Sequence, residues 1–225
     1  MSPALKRAIR VGEASRGFSD RVHAVSQLAK GGECDVIMGD CMSENTMTLH
    51  GAGKITNKKK NSSVANAPIE QLAKEAIYVV KLCEDAGCPM KVAWVEGDDV
   101  TDTIHRLVSE GLKTAAFKED ADIVICGRVA DAAPAIGAAA WWHKWTPEMF
   151  DKLPGALVIG HLIECSSSVC GGYYSAFKDL LKTGKHLNVG FPIAHIDSKG
   201  ECILTKEKST DGCITVGSVT PQFVA

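Results

Sequence analysis

The sequence predicts an α/β fold: a mainly parallel sheet with helices on both faces, followed by a helical segment and a C-terminal β-hairpin. Three observations predict it. Short apolar runs of strand type alternate with runs of helical period as far as about residue 145. The run "DIVIC" (Asp122–Cys126) has no polar alternation, as expected of a strand covered on both faces. After Thr146 the pattern changes, and two strand-like runs meet at a Ser198–Gly200 turn. The doubly wound core is therefore placed over 1–145. The helical segment and hairpin take 146–225 as part of the same domain.

Each element has its own signal. "AIRVGEA" (Ala8–Ala14) is a short apolar strand. "DRVHAVSQLAKGG" (Asp20–Gly32) is a helix, with Asp20 placed to cap it and Gly31–Gly32 to stop it. "DVIMGD" (Asp35–Asp40) is a second strand, and "SENTMTLHG" opens another helix at Ser43. The basic stretch "KITNKKKNSS" reads as a solvated loop. Pro68 suits a first helical position, and Ile69, Leu72, Ala73, Ala76, Ile77, Val80 and Cys83 then recur at helical spacing up to Gly87. "KVAWVEGDD" is a third strand, "VTDTIHRLVSEG" a helix and "DIVICGR" a fourth strand. The Ala-rich stretch from Asp131 to Trp145 is helical. "TPEMFDKL" and "ALVIGHLIECS" read as helices, "GFPIAHID" and "ECILTKE" as the hairpin, and "GCITVGSV" as one more strand. "TPQFVA" starts like a helix at the chain end.

Composition narrows the function classes. The 225 residues are 45% hydrophobic and 23% charged, ordinary globular material for one domain or a little more. A formal net charge of −2 argues against a nucleic-acid partner or a membrane surface held by bulk charge. No apolar run reaches the roughly 18 residues of a membrane span. Nine cysteines, an odd number scattered through strands and helices, fit a reduced cytoplasmic protein in which most are small buried hydrophobes.

The charged residues gather where strands end. The first strand ends at Glu13, with Arg16, Asp20 and Arg21 beyond it; the second ends at Asp40, with Glu44 a turn later. The third ends at Glu96, Asp98 and Asp99, and the fourth at Arg128 and Asp131. In a parallel sheet those carboxyl ends share one edge, where open α/β sheets bind ligands. Each acid also suits a helix cap. Arg16 and Arg128 sit in turns among small residues, where a guanidinium can fork onto a carboxylate or a phosphate. An Arg128–Asp131 pair, with Asp131 also capping the next helix, is one such arrangement. Gly17 allows a phosphate to approach a helix N-terminus and equally serves as a plain turn residue. No GxGxxG and no phosphate loop ending in GK[ST] is present.

A second concentration lies in "GHLIECSSSVCGGYY" (Gly160–Tyr174). His161 and Glu164 fall on one helix face, where they can form an acid–base couple, hold one metal, or simply share a surface hydrogen bond. Cys165 has no evident activating base, which disfavours a nucleophile. Gly171–Gly172 let the backbone approach a ligand or a neighbouring chain closely. "AWWHKW" (Ala140–Trp145) suits a packed helix end or an oligomer interface.

The blocks "VGEASRGFSDR", "LAKGGECDVIMGD", "KVAWVEGDDV", "ADIVICGRVADAAPAIG", "GHLIECSSSVCGGYYS", "GFPIAHIDSKGECILTK" and "STDGCITVGSVTPQ" resemble the acyclic terpene utilisation (AtuA-like) family, from about residue 9 to the C-terminus. The positions that match on family grounds are Arg16, Gly17, Asp20, Arg21, Asp40, Glu44, Glu96, Gly97, Asp98, Asp99, Gly127, Arg128, Asp131, Gly160, His161, Glu164, Cys165, Gly171, Gly172 and Gly212. The founding members belong to bacterial gene clusters that degrade acyclic terpenes through acyl-CoA esters. The resemblance therefore implies a small-molecule acid or acyl-CoA partner, with CoA entering as part of the substrate. Two departures stand out. Asn66–Ala67 runs into Pro68, where the family has a glycine-bearing loop. The family domain also continues beyond this sequence, so a fragment or a short paralogue is expected.

Two functional expectations follow. One is an acid–base enzyme of hydratase or lyase type, with Asp40, Asp98, Asp131, His161 and Glu164 as catalytic candidates. Its ligand-binding candidates are Arg16, Gly17, Arg21, Glu44, Asp99, Gly127, Arg128, Gly171 and Gly172. The other is a non-catalytic binding or assembly subunit. A homo-oligomer is compatible with either.

Overall fold

A computed structural model describes residues 7–14, 23–39, 77–95, 121–126, 130–146 and 148–224. The chain divides into two compact units, Met1–Cys41 with Ala130–Ala225, and Met42–Val129.

In the first unit, β1 (Ile9–Glu13) lies beside β2 (Val36–Met38) in a parallel ladder that pairs Val11 with Val36. Helix α1 (Ala24–Gly31) makes the crossover between them and ends on Gly32, whose φ of 64° is the left-handed conformation glycine accepts at a C-cap. The other side of β1 is taken by β5 (Pro192–Ile196), which runs antiparallel, and β6 (Cys202–Lys206) completes the order β2-β1-β5-β6. The hairpin and its Ser198–Gly200 turn stand where the sequence puts them. Asp197 and Glu201 close it through Asp197 N–H to the Glu201 carbonyl at 3.0 Å.

Strand alternation sorts the two faces of this sheet. Ile9, Val11, Ala194 and Ile196 face α2 (Ala133–His143) and α3 (Leu153–Glu164), and pack on Ala135, Ala138, Ala139, Ala156, Ile159 and Ile163. On the opposite face Ile193, Phe191 and Ala14 pack on Ala24 and Leu28 of α1. Small residues dominate α2, so its backbone lies close to the sheet. The tryptophan-rich end of α2 folds inward: Trp145 is buried and donates to the Ser198 carbonyl at 3.2 Å, and its ring stacks on His143. Two short segments finish the unit, α4 (Phe177–Lys182) and α5 (Val216–Phe223).

The second unit contains a parallel pair, β3 (Val92–Val95) and β4 (Ile123–Cys126), in the register Val92 with Ile123. Residues 77–85 are helical and stop at Gly87, where φ is 68°.

The mixed α/β class and the C-terminal hairpin agree with the sequence. Three details differ. The larger sheet is mixed rather than mainly parallel, because the hairpin supplies the second neighbour of β1. Among the described residues the four early strands form two ladders, β1–β2 and β3–β4. "TPEMFDKL" closes successive turns, with Met149 N–H to the Thr146 carbonyl and Lys152 N–H to the Met149 carbonyl, and the helix starts only at Leu153 with Pro154 in its first turn.

"GCITVGSV" is a correction of a different kind. It is helix entry, not strand. Thr215 and Ser218 form a reciprocal capping box, with Ser218 N–H to Thr215 Oγ1 at 3.2 Å and Thr215 N–H to Ser218 Oγ at 3.0 Å. The β-branched residues mimic a strand, but the cap satisfies the backbone donors of a helix start. The predicted helices at 43 and 100–111, the loop at 54–63 and the apolar positions Ile69, Leu72, Ala73 and Ala76 lie outside the described residues.

Candidate active site

The carboxyl end of β1 carries Glu13, which shares the face of Ile9 and Val11 and is 0% exposed. A carboxylate in that position is expensive unless polar groups surround it. The end of α3 meets the backbone of this residue. Ser166, directly after the helix, is buried, adopts φ 56° and donates from Oγ to the Glu13 carbonyl at 3.5 Å. The strand end and the helix end are therefore joined through 153 residues of intervening sequence.

Helix α3 delivers Glu164 to the same place. Its carboxylate oxygen Oε1 accepts from Cys165 Sγ at 3.1 Å and from Gln222 Nε2 at 3.2 Å. Gln222 sits on α5, is 0% exposed, and donates a second bond to the His161 carbonyl at 3.2 Å. Its own Oε1 is buried and has no hydrogen-bond partner among the described residues. Burial, then the hydrogen bond and charge of Glu164, push the Cys165 thiol up to about 12; the Gln222 amide acts in the opposite sense, and Asp131 adds to the rise. Cys165 is thus a thiol at neutral pH, unsuited to nucleophilic attack.

Close packing explains why Asp131 belongs to this neighbourhood. A Cβ at Gly160 would lie 2.9 Å from the Cα, Cβ and carbonyl oxygen of Ala132, so α3 crosses the start of α2 in contact with its backbone. That contact brings the half-buried Asp131 within electrostatic reach of Cys165. Asp131 does not cap α2. The N-cap is Ala132, with no side-chain cap bond, and Pro134 occupies the first turn.

The predicted residues fall into two groups. Asp131 and Glu164 both act on the Cys165 thiol, Glu164 through a direct hydrogen bond and Asp131 through its charge. His161 meets Gln222 through its backbone carbonyl, and no described residue hydrogen-bonds its imidazole, so the His161–Glu164 couple is not a side-chain contact here. Gly171, with φ 130°, and Gly172 approach their own chain: a Cβ on Gly172 would be 2.9 Å from the Ser168 Cα, and one on Gly171 would be 3.7 Å from the Gly212 Cα. Arg16, Gly17, Arg21, Asp40, Glu44, Asp98, Asp99, Gly127 and Arg128 lie outside the described residues. Among the described residues no group of three His, Cys, Asp or Glu side chains is arranged to hold a metal.

Sequence reasoning missed two members. Glu13 was visible only as a charge that ends an apolar strand. Gln222 carries no local signal, since a glutamine after a proline near a helix end is ordinary surface material. Fold and site together define a mixed α/β protein with a carboxylate, thiol and amide cluster where its central strand ends. The chain belongs to the acyclic terpene utilisation family: it matches the description "Acyclic terpene utilisation family protein AtuA" over residues 9–76 and 109–224. No curated protein and no solved structure shows significant similarity to it.

Proposed function

We propose that this family member is an acid–base enzyme, of hydratase or lyase type, acting on an acyl-CoA or a free carboxylic acid in the breakdown of acyclic terpenes or related branched acids. One observation carries the reading: a Glu164 carboxylate held by two donors, Cys165 and the buried Gln222. Carboxylates fixed in water-poor surroundings are the usual means of moving a proton next to a carbonyl. Glu164 is the group to exchange the proton, with Asp131 as its companion. From the sequence, Arg16 and Arg128 remain the proposed anchors of an anionic group, with Gly17, Arg21, Glu44, Asp99 and Gly127 as further binding candidates and Asp40 and Asp98 as further acids. CoA enters only as part of the substrate. A cytoplasmic location belongs to the same reading. Cys34, Cys83, Cys88, Cys165, Cys202 and Cys213 as free thiols support it, and among the described residues no helix is long and apolar enough to cross a membrane.

Calorimetry with a panel of acyl-CoAs and branched carboxylic acids tests the proposal. Binding of at least one member, weakened in Glu164→Gln or followed by loss of turnover there, is the expected result. No binding by any panel member overturns it.

A second reading, a binding or assembly subunit, draws on a different observation. Pro154, Val158, Leu162, Leu204 and Val219 line an apolar groove of about 430 Å³ along α3, β6 and α5. Apolar surface of that kind is what a partner chain covers. Sedimentation of the purified protein separates the readings: a stable homo-oligomer without acyl-CoA binding favours assembly.

A further inference from the structure

We infer that Gln222 is a positioning residue, which holds the Glu164 carboxylate in place for proton transfer. The inference rests on the reading of Glu164 as the acid–base group.

The geometry is specific. Gln222 reaches Glu164 across 58 residues of sequence and spends its two amide hydrogens on the His161 carbonyl and on Glu164 Oε1, both at 3.2 Å. The two acceptors are three positions apart on α3, so one amide spans the last turn of the helix and locks the carboxylate against it. Packing alone does not account for a glutamine here. The side chain is 0% exposed and its Oε1 has no partner among the described residues. A buried unpaired acceptor is a standing cost, and an apolar residue of similar volume would avoid it. The amide is useful only through the bonds its nitrogen makes. The Pro221 that precedes it and the capping box at Thr215–Ser218 fix the short helix that presents it.

Cys165 provides an internal reporter, because its sulfur bonds the same Glu164 oxygen. Glu164 raises the thiol and Gln222 lowers it. The two substitutions therefore move its reactivity in opposite directions. The experiment is alkylation of the intact protein with iodoacetamide at pH 9, scored by peptide mass spectrometry as Cys165 relative to the exposed Cys88 of the same chain. Glu164→Gln is expected to speed Cys165 alkylation. Gln222→Leu is expected to slow it about threefold, because the buried amide that favours the thiolate is gone. A glutamine that merely fills space predicts the reverse: its replacement loosens the site and alkylation rises. Folded Gln222→Leu protein that alkylates Cys165 at the original rate or faster overturns the inference. Where the leucine variant does not fold, Gln222→Glu decides. It keeps the shape and is expected to slow Cys165 as well, and an unchanged rate there overturns the inference equally. The acyl-CoA calorimetry is run on the same samples. Slowed alkylation with no acyl-CoA binding keeps the Gln222–Glu164 coupling and rejects the acid–base enzyme. Binding with turnover that survives undiminished in a slowed Gln222→Leu rejects the positioning role.

Discussion

The two parallel ladders, β1–β2 and β3–β4, start from one sequence signature and end in different surroundings. In each, an aspartate opens the second strand, and its carboxylate accepts a backbone N–H at the start of the first. Asp35 accepts from Arg10 N–H at 2.9 Å, and Asp122 from Lys91 N–H at 2.8 Å. Burial then separates them. Ile9 and Val11 are fully buried, whereas Val92, Ala93, Ile123 and Val124 are half-buried and Trp94 is 45% exposed. The first ladder has a third strand beside β1 and helices on both faces. The second, among the described residues, is a pair of strands alone. Apolar composition makes a strand, and what other chain segments reach it decides whether that strand becomes core.

Equal deletions in the two ladders give the largest expected difference. Ile9→Ala should cost about 4 kcal/mol and Ile123→Ala about 2 kcal/mol, because a cavity in a closed site relaxes less than one in a half-open site. Urea unfolding of the two variants measures this. Equal costs would mean that the second ladder is as well enclosed as the first.

The paired aspartates sharpen the comparison further. Asp35 also accepts from Arg7 at 2.6 Å and from Arg10 at 3.0 Å. The Arg7 hydrogen bond, against the opposing effect of burial and with help from Arg10, holds its carboxyl far below the usual range. A depressed carboxyl contributes stability that is complete above the unfolded-state value of about 4 and fades as pH falls below it. Asp35→Asn should therefore cost about 1 kcal/mol at neutral pH and flatten the acid side of the melting curve. Among the described residues the exposed Asp122 pairs with no arginine, and Asp122→Asn should cost under about 0.5 kcal/mol. Melting temperatures from pH 7 to 3 read both; an unchanged acid limb in Asp35→Asn would remove the arginine pair from the account of the first ladder.

The smallest effect is one of rate. Burial pushes the Cys34 thiol, beside β2, up to about 11, and the Cys202 thiol of β6 likewise. Cys88, just before β3, is exposed. Brief alkylation at pH 8 should label Cys88 well before Cys34 and Cys202. Simultaneous labelling would show that the first unit opens as readily as the second.

Much of the fold was legible before any coordinates. The strand runs, the helix that carries His161 and Glu164, the hairpin closed at Ser198–Gly200 and the family resemblance all follow from local period, turn chemistry and motif. The misreadings share one origin. "GCITVGSV" carries β-branched residues that favour a strand, and the reciprocal Thr215–Ser218 cap overrides them. "TPEMFDKL" has helical composition, yet its backbone closes separate turns instead.

Apolar period and turn chemistry set where most of the strands, helices and turns begin. The sequence also placed Glu164 and Cys165 at the end of a helix. Long-range packing settled that β5 lies against β1, that Glu13 turns inward with Ile9 and Val11, and that Gln222 closes over Glu164. The reason is the range of the interactions. A helix or a turn satisfies its hydrogen bonds within a few residues, so its signal is written locally. The Ser166–Glu13 and Gln222–Glu164 bonds span 153 and 58 residues, and they exist only once the core has packed the elements that carry them.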